Sequence, residues 1–271
     1  MTATPDNLGL QLTSFIGRER EMVKIEQLLG DSRLLTLTGP GGSGKTRLAQ
    51  AVSSRLTESF EDGVWWVELA PISDPDLVPQ AVASVLNVYE SPGRTLTDVI
   101  VEDLGDLEIL IMLDNCEHVV GACARLAETL LRSCPGLCIL ATSREALDVA
   151  GERNFPVPPL SLPNTERATD FESLEEYEAI RLFVERVRYV VPTFSLTEAN
   201  APEVAKVCSR LDGIPLAIEL AAAKTRVMSV EQISSRLENS FTLLSGGSRT
   251  AMPRQRTLRA AIDWSHDLLS E

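Results

Sequence analysis

The 271-residue chain lacks several features, and each absence argues against a class of protein. No apolar run approaches the roughly 18 residues of a membrane span, and the N-terminus has no basic segment followed by an apolar one. Lys and Arg number 25 against 39 Asp and Glu, a net charge of −14 that disfavours nucleic-acid binding by this segment. We therefore expect a cytoplasmic protein that makes no membrane contact, and we expect DNA contact only through domains absent from this chain.

Cysteine is also scarce, and its spacing predicts neither a disulfide framework nor a zinc site. The five cysteines are odd in number and include no C-x-x-C pair, which favours reduced, mostly buried thiols. A metal or redox pair at Cys134 and Cys138 is the alternative, but the chain contains only two histidines. The content of 44% hydrophobic and 5% aromatic residues is that of an ordinary folded protein.

The chain does contain a phosphate-binding loop. Residues 39–46 read GPGGSGKT and match G-x-x-x-x-G-K-[ST], between a short apolar run and an amphipathic helical pattern. The glycines allow a tight turn, so that backbone N–H groups and the next helix N-terminus point at phosphate oxygens. Lys45 is predicted to reach the β- and γ-phosphates, and the Thr46 hydroxyl to hold Mg²⁺. The predicted nucleotide contacts here are Gly39, Gly41, Gly42, Ser43, Gly44, Lys45, Thr46 and Arg47.

Short apolar runs alternate with helical patterns up to about residue 163, which predicts an α/β fold with a parallel sheet and flanking helices. The third and fourth runs are almost continuously apolar and are placed in the sheet centre, whereas prolines place the fifth at an edge. The first domain is assigned to 1–163. The five strands are expected at 34–38, 64–69, 108–113, 137–142 and 154–157.

The periodicity beyond residue 163 is helical, which predicts an all-α domain at 164–248. Two S-x-x-[EQ] patterns are expected to be capping boxes, one beginning at Ser173 and the other at Ser229. An amphipathic pattern near the end of the sequence indicates a further, truncated domain at 249–271 and a longer parent protein.

An acidic residue is expected at the end of a strand beside the loop, and Asp114 follows the third predicted strand. It would hold Mg²⁺ through water, and a satisfied turn residue is the alternative. The next residue, Asn115, cannot act as a base. Glu117 is the nearest carboxylate that could activate water, and His118 is better explained as a surface or packing residue. Slow hydrolysis is therefore predicted.

Arg144 follows the fourth predicted strand, at the edge where open α/β sheets bind ligands. It is predicted to sense the γ-phosphate through charge-assisted hydrogen bonds, and a solvated surface charge is the alternative. Together with Lys45, Asp114 and Glu117, it completes the predicted catalytic set.

Five short motifs follow one another along the chain. They are hhGRExE at 15–21, the phosphate-binding loop, the strand end 110–114, the TSR triplet at 142–144 and GIPLA at 213–217. In this order they resemble the nucleotide-binding module of STAND ATPases, the group that includes NB-ARC proteins. The resemblance is strongest to modules of bacterial LuxR-associated or SARP-type transcription regulators, which often carry LDNCEH and ATSRE as this chain does.

The resemblance implies an ATP/ADP switch with Mg²⁺, in which ADP holds a closed state and ATP permits opening and self-association. It places Ile16 and Arg18 by the adenine and ribose, Arg144 as sensor 1, and Pro215 against the base from a helical, ARC1-like lid. Two of these residues also have a simpler structural explanation. Arg18 could simply cap the helix that follows it, and Pro215 could simply start its own helix. The segment 249–271 would begin a winged-helix domain.

Two other functions stay open. One is a nucleotide-dependent scaffold or oligomerisation module with negligible hydrolysis, which Asn115 would allow. The other is a P-loop phosphotransferase, which should carry an acceptor pocket with its own basic residues. The helical part is instead rich in Ala, Leu and Val, which favours packing and interaction.

Overall fold

Two compact units make up the described part of the chain. The computed structural model describes residues 5–9, 13–163 and 171–244. The first unit contains the described residues up to Phe15, together with Glu19–Gly39 and Lys45–Val157. The second contains Ile16–Arg18, Pro40–Gly44 and the described residues from Pro158 onward. The two ends of the phosphate-binding loop thus belong to the first unit, and its middle belongs to the second.

The first unit contains a five-stranded parallel sheet, as predicted, with the order β2-β3-β4-β1-β5. All residues of β1 and β3 are buried, because helices cover both faces of the sheet. The proline-bearing β5 lies at one edge, and β3 and β4 lie inside, which confirms both placements. The strands are β1 (Leu34–Thr38), β2 (Val64–Glu68), β3 (Ile109–Asp114), β4 (Leu137–Ser143) and β5 (Arg153–Pro156).

Five helices of the first unit form two layers, one on each face of this sheet. Side chains alternate along β3, so that Leu110 and Met112 pack with α1 and α2, while Ile111 and Leu113 pack with α3, α4 and α5. This two-sided burial explains why the strand is a continuous apolar run. The helices are α1 (Glu19–Asp31), α2 (Lys45–Leu56), α3 (Val78–Leu86), α4 (Leu96–Leu104) and α5 (Val120–Ser133).

Residues near the N-terminus form hydrogen bonds along the outer edge of β2, which is an edge strand of the sheet. The Asn7 side-chain amide donates to the Trp66 carbonyl at 2.9 Å and accepts from the Trp66 N–H at 2.6 Å. The Pro5 carbonyl accepts from the Val64 N–H at 3.1 Å. Asn7 therefore imitates the backbone of a neighbouring strand, a contact that no periodicity in the sequence predicts.

The second unit is helical in the range that the structure describes. Its apolar core is formed largely by α7, α8 and α9, and the alanine-rich α9 buries four side chains in it. Ile16 packs against the same core. The helices are α6 (Phe171–Leu174), α7 (Glu178–Val190), α8 (Ala201–Arg210), α9 (Pro215–Lys224) and α10 (Val230–Leu244).

One of the two predicted capping boxes is confirmed. The Ser229 N–H donates to Gln232 Oε1 at 3.0 Å, and the Gln232 N–H donates to Ser229 Oγ at 3.4 Å, ahead of α10. The box at Ser173 is wrong, since α7 begins only at Glu178. The N–H of Glu178, the first residue of α7, donates to Ser161 Oγ at 3.0 Å, so a residue distant in sequence supplies the cap.

The cysteines were predicted to be reduced and mostly buried. All five cysteines are free and all but Cys138 are buried, as predicted. Within the described ranges, no cluster of three His, Cys, Asp or Glu side chains could hold a metal, and no helix has the length and hydropathy to span a bilayer. The predicted domain start at 249–271 lies outside the described residues.

Gly213→Ala is expected to destabilise the protein by about 1–3 kcal/mol, because Gly213 has a left-handed backbone with φ of 65°. An added Cβ would also lie 2.4 Å from the Leu160 carbonyl oxygen. Urea unfolding, monitored by circular dichroism, measures the change in unfolding free energy. Gly30→Ala is the matched control, since a Cβ meets nothing within 4 Å there and should raise stability slightly. If both substitutions changed the unfolding free energy equally, the left-handed backbone and the nearby Leu160 carbonyl would not explain the loss of stability.

Candidate phosphate-binding site

The carboxyl ends of β1, β3 and β4 lie at one edge of the sheet. In the register, Thr38 of β1 is opposite Ser143 of β4, and Leu113 of β3 is opposite Ala141 of β4. The segments that leave these strands therefore start side by side, which is where open α/β sheets bind ligands. They carry the residues predicted to contact phosphate and metal.

Within the second unit, the middle of the loop has the geometry of an anion cradle. Gly42 and Gly44 have φ of 74° and 86°, a backbone region that other residues adopt only at a cost. Ser43 is buried, and its Oγ has no hydrogen-bond partner among the described residues. A buried hydroxyl without a partner is costly, so a phosphate oxygen fits its needs.

Lys45 opens α2 and is only 8% exposed. Its Nζ donates to the Gly39 carbonyl at 2.9 Å. Burial lowers the pKa of Lys45, the carboxylates of Glu117 and Asp114 oppose this shift, and Arg144 reinforces it. A desolvated ammonium at a helix N-terminus, close to two acids and a second cation, is stabilised by a further anion such as phosphate.

Asp114 is held by two threonines in a buried hydrogen-bond network. Its Oδ1 accepts from Thr46 Oγ1 at 2.7 Å and from Thr142 Oγ1 at 2.6 Å. Thr142 in turn accepts from the Asn115 N–H at 2.9 Å. The structure thus places the two predicted metal ligands together, and carboxylate and hydroxyl oxygens are the donor set that Mg²⁺ prefers. The orienting role of Thr142 was missed, although the TSR motif contains it.

The structure also joins the predicted sensor to the predicted water-activating residue. Arg144 Nε lies 3.2 Å from Glu117 Oε1, with the arginine side chain 67% exposed and the glutamate 15% exposed. His118 Nε2 lies 3.0 Å from the Leu69 carbonyl oxygen and 2.6 Å from that of Ile72. These contacts tie His118 to the backbone after β2, in agreement with its interpretation as a packing residue.

Arg18 connects two other parts of the second unit. The side chain, 3% exposed, donates from Nη2 to the Ser43 carbonyl at 3.0 Å. The backbone N–H donates to Glu178 Oε1 at 2.6 Å, and φ of 69° is left-handed. The arginine therefore does more than precede α1, since it holds the loop through its guanidinium. Sequence reasoning did not find Glu178, whose only signal is its position between a loop and an apolar helix.

Pro215 and Arg47 each have a contact that bears on their predicted roles. Pro215 begins α9, and its Cγ would lie 3.7 Å from a Cβ at Gly44, while the Leu216 N–H donates to the Gly42 carbonyl at 3.2 Å. Pro215 thus both starts a helix and borders the loop. Arg47 Nη2 donates to the carbonyls of residues 13 and 14, at 2.8 and 3.0 Å. The nucleotide contacts of Ile16, Arg18, Arg47 and Pro215 stay predictions.

Glu178→Gln is expected to lower stability by about 1–3 kcal/mol at pH 7, because a carboxylate that accepts two backbone N–H groups becomes an amide with one acceptor. Burial alone would raise the Glu178 pKa, but the N–H groups of Arg18 and Ser161 lower it below its usual value of 4.5. The carboxylate therefore stabilises the fold fully above that value, and this contribution is lost as the pH falls through the lower folded pKa.

Urea unfolding of wild type and variant between about pH 3 and 7 tests this expectation. The difference in stability between them should shrink toward acid pH. Glu176→Gln is the matched control, since Glu176 is exposed and lies in the turn just before α7. A difference that stays constant with pH would show that the carboxylate charge has no part in the contact.

The sequence is similar to bacterial proteins over most of its length. An uncharacterized protein of Mycobacterium tuberculosis is 43% identical over 259 residues, which cover 96% of this chain and 63% of that protein. A protein of the same organism, named a candidate HTH-type transcriptional regulator, is 46% identical over 244 residues, covering 90% of this chain and 26% of that protein. The regulatory protein AfsR of Streptomyces griseus is 26% identical over 250 residues, covering 86% and 23%. No family model matches the chain.

Solved structures with a similar fold include the following two. A STAND protein with a tetratricopeptide repeat sensor from Pyrococcus horikoshii has a TM-score of 0.54 at 14% identity, over 96% of this chain and 40% of that one. A chain of Drosophila ORC, in a structure bound to DNA, has a TM-score of 0.58 at 14% identity, over 87% and 68%. These likenesses concern the fold alone. They confirm the predicted α/β class with its parallel sheet.

Proposed function

We propose that the chain is a P-loop ATPase module similar to those of STAND proteins, and that it is an ATP- and ADP-binding switch that hydrolyses ATP slowly in signal transduction. The observation that supports the proposal most is the network in which Asp114 accepts from Thr46 and Thr142. It puts the hydroxyl of Thr46, the residue directly after Lys45, beside the Asp114 carboxylate. A protein that bound no phosphate would not need a buried ammonium at Lys45 and a buried acid at Asp114 in the same unit.

Each group of the loop has a defined task in this proposal. Lys45 and the N–H groups at the start of α2 bind the β- and γ-phosphates, and Ser43 Oγ donates to a phosphate oxygen. Thr46 and Asp114 hold Mg²⁺, Asp114 through water, and the metal neutralises charge on the phosphates. Thr142 keeps the Asp114 carboxylate turned toward Thr46.

Slow hydrolysis follows from the residues after β3. Asn115 occupies the position after Asp114, and its amide can orient water but cannot accept the proton. Glu117 is the carboxylate available for that step, and it is paired with Arg144. Since the Arg144 guanidinium occupies this carboxylate, Glu117 can take a proton from water only after the pair opens, which should slow turnover.

For the nucleoside end, we propose that Ile16, Arg18 and Pro215 contact adenine and ribose. Support comes from the second unit, where Arg18 donates to the Ser43 carbonyl and the residue after Pro215 donates to the Gly42 carbonyl. We further propose the domain limits 1–163 for nucleotide binding, 164–248 for a helical, ARC1-like lid and 249–271 for the start of a winged-helix domain.

The output of the switch is proposed to be transcription regulation in a longer protein. The chain spans 63% of its uncharacterized relative and about a quarter of the relatives named as regulators. DNA contact would then belong to domains outside this chain, in keeping with its net charge of −14. ATP-dependent self-association in the cytoplasm completes the proposal.

A nucleotide-dependent scaffold with negligible hydrolysis is the second candidate. The observation that favours it is the pairing of Glu117 with Arg144. The Glu117 carboxylate is then occupied, and Asn115, the residue next to Asp114, cannot accept a proton from water. In this case the bound nucleotide would still change the protein, but phosphate would not be released.

Titration calorimetry and single-turnover hydrolysis with Mg²⁺ together test the proposal. We expect saturable binding of both ATP and ADP, and slow phosphate release that disappears in Asp114→Asn. Binding without release above background would favour the scaffold. Absence of binding of either nucleotide to the wild-type chain would overturn the proposed function.

A further inference from the structure

Four charged groups lie near one another at the carboxyl edge of the sheet in the first unit. Lys45 begins α2 at the end of the phosphate-binding loop, Asp114 ends β3, Glu117 lies in the short 3₁₀ helix after β3, and Arg144 follows β4. The side chains of Glu117 and Arg144 form an ion pair at 3.2 Å. The charge of each of the other three groups shifts the pKa of Lys45, which shows that the four are electrostatic neighbours.

Glu117 is the unusual member of this group. Its side chain is 15% exposed, and its Oε2 is buried without a hydrogen-bond partner among the described residues. Among the carboxylates near Lys45, it raises the lysine pKa more than Asp114 does. An acid of this kind, beside a lysine and an arginine, occupies the electrostatic position that a phosphate would take.

We propose that Glu117 is an internal anion that holds Arg144 in the absence of a γ-phosphate, and that ATP takes Arg144 away from it. The inference rests on the proposed function, because it concerns the regulation of the same site. ADP lacks the γ-phosphate and leaves the pair intact. The arginine then reports the third phosphate only by breaking an existing contact, so the pair sets the discrimination between ATP and ADP.

The magnitudes allow such an exchange. An ion pair with a mostly exposed arginine is worth only about 0.2–1 kcal/mol, whereas a guanidinium donating to a phosphate forms stronger, bidentate hydrogen bonds. The γ-phosphate therefore wins the competition, and the pair reduces ATP affinity by a small, measurable factor. At 1.4 kcal/mol per tenfold, that factor is about 1.4- to fivefold.

The same exchange couples recognition to hydrolysis. Once Arg144 has left, the Glu117 carboxylate can accept a proton from a water molecule whose oxygen forms the new bond to the γ-phosphorus. The bond from that phosphorus to the β,γ-bridging oxygen breaks, its electron pair stays on ADP, and the proton passes from Glu117 to the phosphate released. The base is thus freed only when its substrate is present.

A double-mutant cycle tests the inference. Affinities for a non-hydrolysable ATP analogue and for ADP are measured by calorimetry with Mg²⁺ in wild type, Glu117→Gln, Arg144→Ala and the double variant. We expect Glu117→Gln to raise analogue affinity about 1.4- to fivefold and to leave ADP affinity unchanged. In the Arg144→Ala background the same substitution should give no gain, because there is no arginine to release.

Glu145→Gln is the matched control, since it removes an exposed carboxylate directly after Arg144 in the chain. An equal gain in this control, or a gain from Glu117→Gln that persists without Arg144, would show a general charge effect and overturn the inference. An unchanged analogue affinity in Glu117→Gln would overturn it as well. If ATP and ADP fail to bind any variant, wild type included, the proposed function fails and the inference with it.

Discussion

Lys45→Ala is expected to weaken binding of both ATP and ADP by about 100-fold. Charge-assisted hydrogen bonds contribute about 1.5–3 kcal/mol each, and each 1.4 kcal/mol is a factor of ten. The loss should affect both nucleotides because both carry a β-phosphate. Isothermal titration calorimetry with Mg²⁺ measures it directly.

The stability of the nucleotide-free protein should change little in this variant. Lys45 is buried, its pKa is lowered chiefly by that burial, and its Nζ donates to the Gly39 carbonyl. Replacing a desolvated ammonium with a methyl group should therefore cost the empty protein little. Lys24→Ala, on the exposed face of α1, removes the same charge as a control. If Lys45→Ala bound both nucleotides as tightly as wild type, the loop would not be the phosphate-binding site.

Asp114→Asn is expected to lower ATP affinity about 10- to 100-fold with Mg²⁺ and to change it little in EDTA. Two charges 4 Å apart interact by about 4 kcal/mol at an effective dielectric constant of 20, and the repulsion between acid and phosphate offsets part of this. Asparagine keeps an oxygen that can accept from both Thr46 and Thr142, so the fold should be retained. Calorimetry at several Mg²⁺ concentrations separates the two conditions.

Asp103→Asn is the control for this substitution, because Asp103 is an exposed acid in α4. It should leave the Mg²⁺ dependence of ATP binding unchanged. An Asp114→Asn protein that binds ATP as wild type does at every Mg²⁺ concentration would show that Asp114 is only a satisfied turn residue.

The sheet was predictable because its strands follow from local chemistry. A run such as 109–114 is apolar at every position except the last, which is the composition of a strand covered on both faces. The loop at 39–46 and the carboxylate of Asp114 followed from a fixed spacing and a strand end. The residues that make up each of these signals lie within a few positions of one another in sequence.

The contacts that were missed connect residues distant in sequence. Ser161 caps α7 from 17 positions away, and Glu178 holds Arg18 from 160 positions away. The local pattern at Ser173 therefore predicted a cap that the fold does not use. The pairing of Glu117 with Arg144 was not foreseen for the same reason, since each residue was interpreted from its own strand end.

The contact of Asn7 with Trp66 has a practical consequence for work with this protein. An open strand edge presents unpaired N–H and C=O groups that can pair with another molecule, and β2 would be such an edge. The opposite edge strand, β5, has only four residues and ends in Pro156, so it protects itself. A recombinant fragment that starts after residue 9 would expose β2 to edge-to-edge aggregation, and fragments made for crystallisation should retain these N-terminal residues.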